Sequence, residues 1–153
     1  MKILNLTMNK PLAVIPMGNR LYKLADDCDI EVFTDEGVFT FHAKKYAVTN
    51  YRSGGPLVDG FIDQIGDENT APWWVIHDLC YTPCAALGME HPLSRKMADE
   101  LLRAGLIYAG MSKWKAQVVY TAVRWFGESA YEEDDALTSF NSKLFTFEWL
   151  ATS

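Results

Sequence analysis

The chain lacks the features that define several large protein classes. Its three cysteines, Cys28, Cys80 and Cys84, are too few among 153 residues, and odd in number, for a disulfide scaffold. They read as free thiols kept in a reducing compartment. No stretch approaches the roughly 18 uninterrupted apolar residues of a membrane span. At the amino end, Asn5, Asn9, Lys10 and Pro11 break the apolar run that a signal peptide needs. Basic residues are in the minority, 14 Lys and Arg against 20 Asp and Glu, so the formal charge is −6 and the pI near 5.0. No nucleic-acid partner is expected from such a balance. Internal repeats and low-complexity stretches are also missing, and 49% hydrophobic with 22% charged residues excludes wholesale disorder. Aromatics are what the chain has in plenty: five Trp, seven Tyr and eight Phe, enough for a dense core.

The chain divides by composition into a β-rich and a helical part. Four short runs, Leu12–Ile15, Arg20–Leu24, Asp29–Phe33 and Val38–His42, carry β-branched or aromatic residues, and Thr34-Asp35-Glu36-Gly37 is a good hairpin connection. They predict a small antiparallel sheet within residues 1–65. A Gly-rich stretch follows, Tyr51-Arg52-Ser53-Gly54-Gly55-Pro56. Residues 66–127 predict three helices. The first has Thr70 as its cap and Pro72 in its first turn, the second starts at Ser94 and runs to about Tyr108, and the third spans Lys113 to about Phe126 before Gly127. In the tail, residues 128–153, Glu132-Glu133-Asp134-Asp135 reads as a solvated loop and Lys143–Leu150 as a strand or docking segment. The expected fold class is therefore α+β in a single domain, an amino-terminal antiparallel sheet packed with a three-helix carboxy-terminal unit.

The sharpest local feature is His77-Asp78-Leu79-Cys80-Tyr81. On a helix His77 and Tyr81, four apart, share a face, and Asp78 is turned about 100° from His77. Ala98-Asp99 lies on the next helix, and a two-helix hairpin would bring Asp99 opposite His77. Asp99 would then accept from one ring nitrogen, fix the tautomer and leave the other nitrogen to take a proton from water. Tyr81 would donate its hydroxyl to the same carboxylate, and Asp78, facing elsewhere, would be free to hold a cation.

This constellation resembles the phospholipase A2 superfamily, whose core helix bears His-Asp-x-x-Tyr, or His-Asp-x-Cys-Tyr in secreted members. Ala98-Asp99 is similar to the Ala-Asp of the parvoviral capsid enzymes. The resemblance implies a calcium-dependent ester hydrolase with His77 as general base, Asp99 as its orienting partner and Tyr81 behind them. Asp78 would bind calcium together with the Ser53-Gly54-Gly55 loop, and the ion would polarise the ester carbonyl. Residues 38–127 also resemble a tailed-phage family known only as a domain of unknown function. The residues that carry this second likeness are Thr49-Asn50, Ser53, Pro56, His77-Asp78, Ala98-Asp99 and Ala122-Val123-Arg124-Trp125-Phe126-Gly127. The chain departs from that pattern at Asn50, where the family usually has Asp, and in a longer segment between the first two motifs. The likeness implies a phage protein, located in the cytoplasm of an infected bacterium or in the virion. A phospholipid or membrane surface, or other virion proteins, would be its partners.

Plainer readings stand beside these. His77 with Asp99 is also what a satisfied core histidine looks like, and the chain would then be a non-catalytic virion or interaction protein that keeps the helical pair as scaffold. His77, Cys80, Cys84 and His91 gather four nitrogen and sulfur groups, but their spacing fits no zinc pattern, and the two thiols read better as small apolar residues. Trp73 and Trp74 read as core or rim residues, with an exposed pair dipping into a membrane interface as the other option. Lys113, Lys115 and Arg124 form a solvated helix face, unless Arg124 pairs with an acidic residue.

Overall fold

Alternation of period two places Cys28, Ile30 and Val32 on one face of a strand, and Phe39, Phe41 and Ala43 on one face of its neighbour. In the computed structural model, which describes residues 1–18, 21–49 and 69–152, all six are buried. The first six strands are β1 (Ile3–Met8), β2 (Val14–Gly18), β3 (Leu21–Leu24), β4 (Cys28–Thr34), β5 (Gly37–Ala43) and β6 (Val48–Thr49). The helices are α1 (Ala71–Cys80), α2 (Arg95–Tyr108), α3 (Lys113–Phe126), α4 (Glu128–Tyr131) and α5 (Ala136–Ser142), and strand β7 (Phe145–Ala151) follows. The class is α+β, as the sequence predicts.

The strands form two antiparallel sheets, one in the order β1-β4-β5-β7 and a smaller one in the order β2-β3-β6. The sheet is thus not confined to the amino-terminal part. The tail supplies β7, which runs beside β5 along its whole length, from Gly37↔Ala151 to Ala43↔Phe145. The aromatic side chains of β7 account for its position: Trp149 stacks on Phe39 at 4.1 Å, Phe147 meets Phe41 at 5.1 Å, and Phe145 is buried. The expected β4–β5 hairpin is present, its turn tied by the Thr34 hydroxyl, which accepts from the Glu36 and Gly37 amides and donates to the Gly37 carbonyl. Gly37 is needed there twice over. Its φ of 151° is costly for L side chains, and a Cβ would lie 2.3 Å from the Leu150 carbonyl oxygen of β7.

Buried residues of the main sheet and of α1, α2 and α3 form one contiguous core. Trp73 and Trp74 are part of it, at 1% and 4% exposure, so the membrane-dipping option for this pair is overturned. Trp73 lies against Gly105 of α2, where a Cβ would come within 2.1 Å of the indole; the missing side chain lets α1 and α2 pack closely. Ser94 caps α2, accepting from the Met97 amide at 3.2 Å. Thr70 does not cap α1 with its side chain, since its backbone is already helical there and cannot aim the hydroxyl at the first amides. The acidic run Glu132–Asp135 is exposed between α4 and α5, and Asp135 caps α5 through the Thr138 amide. Ser53, Gly54 and Gly55 lie outside the described residues.

Candidate active site

Helix α1 ends at Cys80 with Tyr81 as its C-cap, so His77 and Tyr81 are one turn apart and their rings lie 4.2 Å centre to centre. Helix α2 presents Asp99 to both. His77 Nε2 is 2.7 Å from Asp99 Oδ1, and the Tyr81 hydroxyl donates to the same oxygen at 2.5 Å. All three sequence-nominated residues therefore meet. Helix α3 completes the cluster from the far side, where Arg124 Nη1 donates to Asp99 Oδ2 at 3.0 Å. Arg95 Nη1 lies 3.8 Å from Oδ2 and donates to the Val123 and Arg124 carbonyls at the end of α3.

The electrostatics follow from burial and from these donors. Burial alone would raise the Asp99 carboxyl, but hydrogen bonds and charge from His77, with further bonds from Tyr81 and Arg124, outweigh it and hold the group below the ordinary carboxylate range. The same carboxylate, added to burial, pushes the Tyr81 hydroxyl up, so Tyr81 remains a neutral donor. Whenever the imidazole is neutral, its hydrogen sits on Nε2, because an ionised Asp99 can only accept, and Nδ1 then carries the lone pair. Nδ1 is buried and has no hydrogen-bond partner among the described residues. The side chains of His77 and Asp99 are both 0% exposed, so this nitrogen lies inside the fold.

Asp78 is directed away from the dyad, as its place on the helix requires. Its carboxylate accepts from the Thr49 hydroxyl of β6, and its carbonyl accepts from Thr82 at 3.0 Å. Val48, Thr49, Val75, Asp78, Thr82 and Asn141 line a small pocket here, with Asn141 of α5 bonded to both backbone groups of Val48. One carboxylate and one neighbouring hydroxyl fall well short of the about six to eight oxygens that calcium takes. Among the described residues no group of three His, Cys, Asp or Glu gathers to hold a metal. The described residues alone therefore do not make up a calcium site.

The thiols offer no second centre. Cys80 is fully buried and its thiol is pushed up, by burial first and then by the charges of Asp99 and Asp78. The Cys84 thiol donates to the Phe145 carbonyl, and His91 stacks on Tyr131 with Nδ1 3.3 Å from the Cys80 carbonyl oxygen. Arg124 resolves the other way from a solvated face, since it pairs with Asp99. Sequence reasoning did not place Arg95 or Gly127 near the site. The cue available was the Ala122–Gly127 stretch, whose arginine interrupts an otherwise apolar run.

Neither the curated proteins nor the solved structures contain a significant match to this chain. A family model described as "Protein of unknown function (DUF1353)" matches residues 23–123, about two-thirds of the chain, which spans β3 to α3 and includes His77, Tyr81 and Asp99 but stops one residue short of Arg124. The chain belongs to this DUF1353 family.

Proposed function

We propose that this chain is a phospholipase A2-like ester hydrolase that uses His77 and Asp99 to activate water. The observation that carries the reading is the division of labour on the imidazole: Nε2 is committed to Asp99, and Nδ1 is left as an acceptor with no partner among the described residues. A buried polar atom without a partner is costly in a finished core, about 1–3 kcal/mol, and is what a site awaiting water or substrate would present. In the reaction Nδ1 takes a proton from water as the water oxygen bonds to the ester carbonyl carbon. The resulting imidazolium, stabilised by Asp99, returns that proton to the alcohol oxygen as the C–O bond breaks. The products are a carboxylic acid and an alcohol.

The phospholipid substrate class, a calcium ion at Asp78 with Ser53, Gly54 and Gly55, and a phage origin in host cytoplasm or virion all rest on the resemblance of the motifs. One observation favours a second reading. With both side chains of the dyad fully buried, an Asp99 carboxylate held by His77 and Arg124 is also what a structural core cluster presents, and the chain would then be a non-catalytic virion or interaction protein. Fatty-acid release from phosphatidylglycerol and phosphatidylcholine vesicles, measured with calcium and with a chelator, separates the two. Hydrolysis by the wild type that His77→Ala abolishes with its near-ultraviolet dichroism retained supports the hydrolase. No release under any of these conditions, from folded wild-type protein, favours the second reading.

A further inference from the structure

The stretch Ala122-Val123-Arg124-Trp125-Phe126-Gly127 closes α3; its Arg124 bonds the Asp99 carboxylate, and its Gly127 lies against Tyr81, which bonds the same carboxylate. Ala122 and Val123 are fully buried and fix the helix against the core. Arg124, one position on, reaches Oδ2 at 3.0 Å with its own side chain 29% exposed. Gly127 sits against Tyr81: a Cβ there would lie 2.7 Å from the tyrosine hydroxyl and 2.5 Å from the Val123 carbonyl oxygen. The hydroxyl so accommodated is the one that donates to Oδ1. Arg95 ties the end of α3 to the start of α2 by donating to the Val123 and Arg124 carbonyls.

From this geometry we infer that Arg124 is the positioning residue of the dyad: by holding Oδ2 it turns the Asp99 carboxylate so that Oδ1 meets His77 Nε2, with Gly127 leaving the room in which Tyr81 supports the same oxygen. A carboxylate free to rotate about its Cβ–Cγ bond presents either oxygen to either neighbour. A guanidinium on one oxygen removes that freedom, and its planar donors suit the task better than an ammonium does. Two donors on Oδ1 and one on Oδ2 leave Nε2 in line with a single oxygen, which fixes the ring and hence the direction of Nδ1. The assignment rests on the hydrolase reading only for its catalytic consequence; the orientation of the dyad is measurable in protein that hydrolyses nothing.

The test is the imidazole N–H proton of His77 in 15N-histidine-labelled protein, recorded at one fixed pH near neutrality. Wild type is expected to give an exchange-protected, far-downfield N–H on Nε2, assigned by its loss in His77→Gln. In Arg124→Gln this resonance moves upfield or is lost to exchange while near-ultraviolet dichroism stays native, and Arg124→Lys lies between the two. Where the wild type hydrolyses ester, the rate falls in the same order, most in Arg124→Gln. An unaltered Nε2–H resonance in folded Arg124→Gln overturns the assignment. If that variant does not fold, Arg124→Met, which keeps an unbranched stem and removes every donor, takes its place, and an unaltered resonance there overturns the assignment equally. Absence of the downfield proton in wild type also overturns it. Absence of hydrolysis with the resonance changing as expected defeats the hydrolase reading and leaves the positioning role intact.

Discussion

At the scale of single residues, the Asp99 carboxylate is the group on which the site depends. It is fully buried and accepts from an imidazole, a phenol and a guanidinium. Removing it strands all three donors, and breaking a buried ion pair by deleting one partner costs about 3–5 kcal/mol. Asp99→Ala is accordingly expected to lose stability of that order in chemical denaturation. The pH dependence has a definite sign. Because the folded carboxyl lies below its ordinary value of 3.8, its stabilisation is complete above that pH and is lost as pH falls through the lower folded value. The stability gap between wild type and Asp99→Asn is thus expected to narrow as pH falls below 3.8, in urea titrations at a series of acidic pH values. A gap that widens on acidification would contradict the pairing. His77, Tyr81 and Asp99 were legible in the sequence because four residues on a helix make one face, and a short hairpin returns the next helix opposite it. For Arg124 the option of an acidic partner was legible but not which one, since Asp99 lies 25 positions away and only the packing of α2 on α3 decides which face meets it.

At the scale of elements, the helices were readable and the sheet less so. Ser94, Gly127 and the apolar periodicity of residues 95–108 and 113–126 mark α2 and α3 closely. Strand β1 went unread because Ile3–Met8 alternates weakly, with Asn5 and Thr7 among its residues, and half of it faces solvent at a sheet edge. Helix α5 was missed for a related reason: Ala136–Ser142 contains Thr, Ser and Asn, poor helix formers, and is held by its Asp135 cap and by Asn141 bonding Val48. The tail could be read only as a strand or a docking segment, since nothing local reveals that Phe145, Phe147 and Trp149 register against Phe39 and Phe41. The packing of Gly105 on Trp73 gives a prediction. In Gly105→Ala the new Cβ meets the buried Trp73 ring at 2.1 Å, so α1 and α2 must move apart. The expected cost is about 1–3 kcal/mol, against the slight gain that Gly→Ala brings in an open helix. A melting temperature equal to or above that of the wild type would show that the two helices do not pack this closely.

At the scale of the whole molecule, the sheets and the helices α1, α2 and α3 of the described residues share one core, and the dyad lies within that core. This placement explains why the histidine can be held so firmly, and it also sets the requirement on any hydrolase built this way: water and ester must reach Nδ1 without unfolding of the chain. No helix among the described residues is long and apolar enough to cross a membrane. Of the three histidines, His42 is exposed and pairs with Asp29, His91 is half-buried on Tyr131, and His77 is enclosed. Carbethoxylation by diethyl pyrocarbonate, followed residue by residue by mass spectrometry under native conditions, therefore measures access to Nδ1 against two internal references. The account predicts modification of His77 slower than that of His42 but well above the rate of global unfolding, with ester hydrolysis lost in step. Modification of His77 only as fast as the protein unfolds would contradict it.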